Sequence, residues 1–355
     1  MAFATFSIVP FVRCHFRSEE LGGPAFSVTV LIMKLHPEIA KRRNTIVEEH
    51  FCGEFWKPCP GTGAGYHCCG YQILSPLTGC GMYCTYCVLQ AYLGREEQVV
   101  FSNFADLEDE VRSKLAAKEG IIRFGTGELG DSLYLEEQLG ICRRIAALLE
   151  PYNNVLVEFK TKWDDVRGLD QIKVPGKVVI GFSMNTPAMI ECLEYGTASL
   201  DRRLEALRRC EEMGFWVAIH FDPMVWYPRW ESEYRDVVRR VFDALDDPAH
   251  IAWWSLGGFR CVPALKARLK ERGLHLPLFS GELVLGEDGK YRYFRSVRVD
   301  FYSVVREAVE EYRPETTLYL CMESDEVWRE CSMDRRIPGG LPALLDKRAA
   351  AMLAI

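Results

Sequence analysis

Three cysteines fall within TGCGMYCTYCVLQAYLG, residues 78–94, at Cys80, Cys84 and Cys87. A zinc site generally takes four ligands, often as two close pairs, whereas this run offers three thiols at unequal spacing. Three thiolates suit a [4Fe–4S] cluster whose fourth iron is left to a ligand from outside the protein. Gly79 and Gly81 flank the first thiol and let the backbone wrap closely. Fourteen unevenly spaced cysteines in 355 residues do not resemble a secreted disulfide framework, and in a reducing compartment clustered cysteines mean metal or redox chemistry. Cys142, Cys192 and Cys210 lie in helical patterns and read as small core residues. Cys59, Cys68 and Cys69, in CPGTGAGYHCCGYQ, either pack beneath the thiol loop or hold a second cluster or a thiophilic group.

The elements that must position these residues are short apolar runs ending in glycine or polar residues. Strands are expected at 71–77, 120–128, 154–162, 177–185, 215–224 and 250–259. Amphipathic helical patterns lie between them, at 103–119, 135–150, 199–214 and 231–247. Alternating strands and helices predict βα units around a parallel sheet, and the near-continuous apolar character of the strands predicts burial on both faces. Six units are too few for a closed eight-stranded barrel, so the expected fold is α/β, a partial (βα)6 TIM-type barrel. Working residues in such folds sit at the C-terminal strand ends. Those ends carry Cys80, Glu128, Lys162, Ser183, Asn185, His220 and Asp222, which implies one shared site.

Residues 71–260 are read as the barrel, with 33–70 leading into it. A small α+β appendage is expected at 261–355, with a β-hairpin at 280–296 turning at Glu287-Asp288-Gly289 and a tail helix. Residues 1–32 are apolar but lack the basic start and cleavage site of an export signal, and are read as an extension or flexible arm. No apolar run approaches the roughly 20 residues that span a bilayer. A net charge of -7 disfavours a general nucleic-acid coat, though not a local basic patch. A cytoplasmic protein without membrane partners is expected, of unspecified oligomeric state.

C-x3-C-x2-C after the first strand of a partial barrel resembles the radical S-adenosylmethionine superfamily. GCGMYCTYCVLQAYLG, with FKTKW, GFSMN, HFDPM, the late hairpin and LYLCMES, looks like the spore photoproduct lyase family and its photolyase-like relatives, over roughly residues 55 to 330. The resemblance implies a [4Fe–4S] cluster on Cys80, Cys84 and Cys87, with S-adenosylmethionine chelated to the open iron and reductively cleaved to a 5′-deoxyadenosyl radical. It implies an electron donor of the flavodoxin or ferredoxin type. Tyr86 would lie near the adenine or pack in the core. Gly127 and Glu128, in GTGE, would bind the methionine ammonium, Lys162 its carboxylate, and Ser183 with Asn185 other polar groups of the cofactor. His220 and Asp222 are candidates for substrate contact or acid–base support, or a structural pair.

The chain departs from the lyase pattern in two places. Thr126 stands where the lyase has the cysteine that returns a hydrogen atom to the product radical, and Val88 where it has a tyrosine. Cys261 or Cys321 would have to substitute as donor. In GKYRYFRSVR, Lys290, Tyr291, Arg292, Tyr293 and Arg295 interleave charge with aromatics as a candidate grip on damaged DNA, or form an ordinary solvated hairpin. The preferred reading is radical chemistry on damaged pyrimidines in DNA. Its rivals are radical modification of a non-DNA substrate or aminocarboxypropyl transfer, and a catalytically silent, cluster-bearing DNA-binding or redox-sensing protein.

Overall fold

The computed structural model describes residues 41–59, 61, 65–272, 277–279 and 283–354, with the backbone of Phe11–Phe16 and Val28–Met33. Those two N-terminal strands pair antiparallel; the rest of the expected arm lies outside the described residues.

One eight-stranded sheet dominates, in the spatial order β1 (Trp56–Pro58), β2 (Gln72–Leu74), β3 (Ile122–Thr126), β4 (Val155–Thr161), β5 (Val178–Ser183), β6 (Trp216–Met224), β7 (Ile251–Gly258) and β8 (Leu318–Leu320). β1 runs antiparallel to β2, and β2 through β8 run parallel. Spatial order equals chain order because each crossover returns to the next position, as right-handed βα units do. β1 and β8 are the edges, so the barrel stays open. Every residue of β3 and β7 is buried, which requires cover on both faces.

That cover comes from helices whose apolar residues recur at helical spacing. α1 (Phe104–Ala117) buries Phe104, Leu107, Val111 and Leu115. α2 (Ile141–Ala147) and α3 (Pro187–Leu193) are short, and α3 starts where the Thr186 side chain accepts from the Met189 amide. α4 (Leu200–Glu212) is capped likewise by Ser199, and α5 (Trp230–Ala244) buries Val237, Val238 and Val241.

All the expected strands of the barrel form, but the parallel count is larger than six. Leu318–Leu320, expected in a separate appendage, pairs with β7 and extends the main sheet, so residue 260 does not mark its end. A three-residue strand carries little periodic signal alone; the open edge of β7 makes it a strand. The hairpin is present, with Leu283–Leu285 against Tyr291–Tyr293, and Arg260–Cys261 adds a third strand to it. Between these lie α6 (Pro263–Glu271) and α7 (Arg295–Tyr312).

The tail forms α8 (Leu341–Leu353), which packs on β3 and β7. Arg123 at the start of β3 pairs with Asp346 at 2.6 Å, and Arg348 donates to the carbonyls of Ala249, Ile251 and Ala252. Leu345 is buried on the inner face of this helix. Leu345→Ala should lower unfolding free energy by about 2–5 kcal/mol in chemical denaturation; an unchanged midpoint would show that α8 does not seal the sheet.

Candidate active site

The thiol loop follows a short strand, Leu77–Thr78, and depends on its glycines. Gly79 has φ +89°, and a Cβ there would sit 2.8 Å from the Glu97 carbonyl oxygen. A Cβ on Gly81 would fall 2.2 Å from the Tyr134 ring. Arg43 clamps the loop from below: Nη1 donates to the Met82 carbonyl at 2.8 Å and the Cys80 carbonyl at 3.4 Å, while Nε binds Glu96 at 2.8 Å. Gln90 Nε2 donates to the carbonyls of Cys84 and Thr85.

Cys80, Cys84 and Cys87 are half-buried, and burial pushes all three thiols up, Cys80 to about 12 with Asp131 adding to the rise. The Met82 amide points at the Cys80 sulfur and the Leu89 amide at that of Cys87, favouring thiolate. Among the described residues no three Cys, His, Asp or Glu side chains close around a single ion. A lone ion needs its sulfurs about 2.3 Å from one centre. A cuboidal cluster puts each cysteine on a different iron, so its thiols must surround a volume. Thiols within electrostatic reach of one another, two with amides directed at them and two glycines making room, fit the cluster.

The next strand tips face the same loop. Gly127 has φ +98°, and a Cβ there would meet Lys160 at 2.8 Å. Glu128 is exposed, and its charge reaches Cys87, Cys59 and Lys160. Buried Asp131 receives the Lys162 amide at 2.8 Å, the Thr161 hydroxyl at 2.8 Å and the amides of Leu133 and Tyr134. It thereby fixes the backbone of Lys162, whose ammonium lies 5.9 Å from the Tyr86 ring centroid and acts on Cys84 and Cys87.

Within the barrel is a polar core that sequence reasoning missed. His220 Nε2 and Glu158 Oε1 lie 2.7 Å apart, and Trp253 Nε1 donates to the same oxygen at 3.1 Å. Gly181 leaves this pair room, since a Cβ there would lie 2.8 Å from the Glu158 oxygen. The Lys160 ammonium sits 4.1 Å from the Tyr71 ring centroid. Burial pushes the Lys160 ammonium down, but Tyr71, Glu158, Glu128 and Tyr319 outweigh it and hold its pKa well above normal. The period-2 alternation of EFKTK, which puts Glu158 and Lys160 on one face of the strand, was the available signal.

The family model for spore photoproduct lyase matches residues 69–253, just over half of the chain. The chain belongs to the spore photoproduct lyase family. It is 26% identical over 179 residues to the spore photoproduct lyase of Clostridium acetobutylicum, covering 50% of this chain and 53% of that one. It is 25% identical over 170 residues to that of Bacillus subtilis, covering 47% and 50%. The chain thus spans about half the length of the curated relatives it matches. In fold it is similar to a spore photoproduct lyase mutant with bound AdoMet and dinucleoside spore photoproduct, at TM-score 0.72 and 20% identity, over 81% of this chain and 86% of that one.

Within this spore photoproduct lyase family chain, several expected site residues turn inward. Tyr86 is buried, and its hydroxyl donates to Glu194, which also pairs with buried Arg203 at 2.5 Å. The Tyr86 hydroxyl is thus engaged within the core. Asn185 is buried too: Nδ2 donates to the Pro223 carbonyl, and Oδ1 accepts from the Thr186 amide and the Tyr234 hydroxyl. Its amide is fully engaged by these protein groups. Ser183 is half-buried at the tip of β5, its carbonyl accepting from Arg203 at 2.7 Å. Thr126 ends β3 buried, with its hydroxyl 2.6 Å from that of Ser132, and Val88 caps the short helix Leu89–Tyr92.

His220 and Asp222 are not partners. Asp222 pairs with Arg260 at 3.0 Å, whose Nη2 also donates to the Cys321 sulfur at 3.4 Å. Cys261 is buried at the edge of the small hairpin sheet, whereas Cys321 follows β8 and faces the barrel. The basic and aromatic residues of the hairpin do not form one exposed strip. Lys290 donates to the Gly61 carbonyl, and Arg292, 2% exposed, binds Asp288 at 2.5 Å and lies over Tyr66. Tyr293 is buried, its hydroxyl accepting from the Trp226 amide; Tyr291 is half-buried, and Arg295 pairs with Glu330. The physical cause is that Tyr291–Tyr293 is the middle strand of its sheet.

Burial would raise the Glu158 carboxyl, but the hydrogen bond and charge interaction with His220, the Lys160 ammonium and the Trp253 hydrogen bond outweigh it and bring it from the usual 4.5 to about 2. A depressed carboxyl stabilises the fold above its unfolded pKa and loses that contribution as pH falls through the folded one. Stability should therefore drop between pH 4.5 and about 2, and Glu158→Gln should flatten that acid limb in pH-dependent denaturation; an identical limb in the variant would assign the loss to other groups.

Proposed function

We propose that this chain is a radical S-adenosylmethionine enzyme acting on a damaged pyrimidine in DNA, in the manner of spore photoproduct lyase. The observation that supports it most is the Cys80–Cys84–Cys87 loop, held open by Gly79 and Gly81 and faced by Glu128 and Lys162. Those cysteines would hold a [4Fe–4S] cluster. Glu128 would accept from the ammonium of S-adenosylmethionine, and Lys162, braced by Asp131, would meet its carboxylate. When bound, cluster and cofactor together supply a 5′-deoxyadenosyl radical that abstracts a hydrogen atom from the substrate.

The chain's own residues position those groups and exclude water. Arg43 and Gln90 fix the loop's carbonyls, and the apolar walls of β3 to β5 close the floor beneath. Related structures hold a dinucleoside spore photoproduct, the basis for proposing a DNA lesion as substrate here. Trp226 and Phe294, 53% and 42% exposed around the Trp226–Tyr293 hydrogen bond, offer flat apolar faces for splayed bases. No helix among the described residues is long and apolar enough to cross a membrane. A reducing compartment, with a one-electron donor of the flavodoxin or ferredoxin type, suits the thiols.

The test is anaerobic reconstitution with iron and sulfide, then dithionite and S-adenosylmethionine, with products separated by chromatography. 5′-Deoxyadenosine is expected. 5′-Methylthioadenosine would instead indicate aminocarboxypropyl transfer, and intact cofactor on a formed cluster would leave a silent binding or sensing protein. Cys84→Ala should lose both the iron–sulfur absorption and cofactor cleavage. Glu128→Ala should keep the absorption but bind S-adenosylmethionine about tenfold more weakly, the worth of one charge-assisted hydrogen bond; unchanged affinity would reject its role.

A further inference from the structure

Radical chemistry in this site leaves one need unmet, a hydrogen atom for the carbon radical that remains. The Thr126 hydroxyl is buried against Ser132, and its O–H bond is stronger than a carbon radical can profitably break. The barrel interior holds a group of thiols drawn from both edges of the sheet. Cys59 follows β1, Cys68 and Cys69 precede β2, and Cys321 follows β8. The His67 amide donates to the Glu323 carbonyl at 2.9 Å and ties the two edges together. Cys68 hydrogen-bonds Cys69, which is within electrostatic reach of Cys321, as Cys321 is of Cys59.

Resting on the radical reading above, we propose that Cys321 is the hydrogen-atom donor to the carbon-centred radical in the barrel. Its amide donates to the Leu256 carbonyl at 2.7 Å, which seats it at the mouth of the barrel beside β7. Arg260 Nη2 reaches both its sulfur and Asp222, so the thiol stands next to the strand-end carboxylate that the barrel mouth presents. Burial pushes its pKa up to about 12 against the opposing pull of Arg260 and Lys160, with Asp222 and Cys59 adding to the rise. The sulfur therefore keeps the hydrogen that a thiolate would lack. Three buried cysteines lie elsewhere: Cys142 donates to the Ser132 carbonyl, Cys210 is on α4, and Cys261 belongs to the hairpin sheet.

In the step, the Cys321 S–H bond breaks homolytically and a C–H bond forms on the substrate-derived carbon, leaving a thiyl on Cys321. One electron from the low-potential donor that serves the cluster, with one proton from water, restores the thiol.

The experiment uses the full iron-loaded chain in deuterated water with dithionite, S-adenosylmethionine and dinucleoside spore photoproduct. Solvent deuterium should enter the released thymine product, or the 5′-deoxyadenosine if the dinucleoside is left intact, which separates a wrong lesion from a wrong donor. Deuterium should be retained in Cys261→Ala and lost in both Cys321→Ala and Cys321→Ser. Its persistence in Cys321→Ala, with 5′-deoxyadenosine still formed, would overturn the donor and leave the radical reading standing. No 5′-deoxyadenosine from the wild type would remove the reading and the donor together. A second readout needs no iron: maleimide labelling of Cys321, mapped by mass spectrometry, should keep accelerating beyond the ordinary thiol range of pH. A rate already level below about pH 7, where an ordinary thiol is still protonated, would reveal a thiolate with no hydrogen to give and would also overturn the assignment.

Discussion

A half-buried ammonium sets the charge balance of the barrel. Lys160 projects from the end of β4 into a space where it meets the Tyr71 ring, the Glu158 carboxylate, Tyr319 and the field of Glu128. An isolated cation in such a place would surrender its proton. It stays charged because Glu158 is itself held ionised, and Glu158 is held by His220 and Trp253. That chain of dependence runs across β4, β6 and β7, so the strands must keep their register for the charges to cancel. Gly125 and Gly181 belong to the same constraint: a Cβ on the first would meet the Tyr71 hydroxyl, and on the second the Glu158 carboxylate.

The thiol loop is bound to this interior through a second buried pair. Arg203 on α4 reaches Glu194, and Glu194 accepts from Tyr86, which lies between two of the three loop cysteines. Breaking one partner of a buried pair generally costs about 3–5 kcal/mol, because the other charge is left without solvent. Through its hydroxyl, Tyr86 thus anchors the loop to the core. The loop's outer side is held separately, by Arg43 against Glu96 and the Met82 carbonyl. Its thiols are therefore supported from both sides while their sulfurs stay half-buried.

The barrel mouth has two chemically distinct sides. The thiol loop, Glu128 and Lys162 occupy strand tips on one side of the mouth. Across from them stands the group of Cys59, Cys68, Cys69 and Cys321, gathered where the open sheet's two edges approach. A closed barrel would have no such place. The short β8 matters for this reason: by pairing with β7 it carries Cys321 to the mouth and brings the C-terminal chain into the same body as the site.

The thiol loop was legible in the sequence because its information is local: three cysteines, two glycines and their spacing specify what the segment can bind. The strands of the barrel were legible too, since burial on both faces demands continuous apolar runs. The destinations of charged and polar side chains were not. Arg292 and Lys290 read as a basic surface, yet they end on Asp288 and the Gly61 carbonyl; hairpin position cannot reveal that Tyr291–Tyr293, which carries Arg292, is a middle strand. His220 and Asp222 sit two residues apart but choose Glu158 and Arg260, partners distant in sequence. The sequence alone determined which atoms can do chemistry and which segments form the sheet. Only the tertiary structure decided which charges meet, because Coulomb and hydrogen-bond partners are selected by distance in space, and spacing along the chain does not encode it.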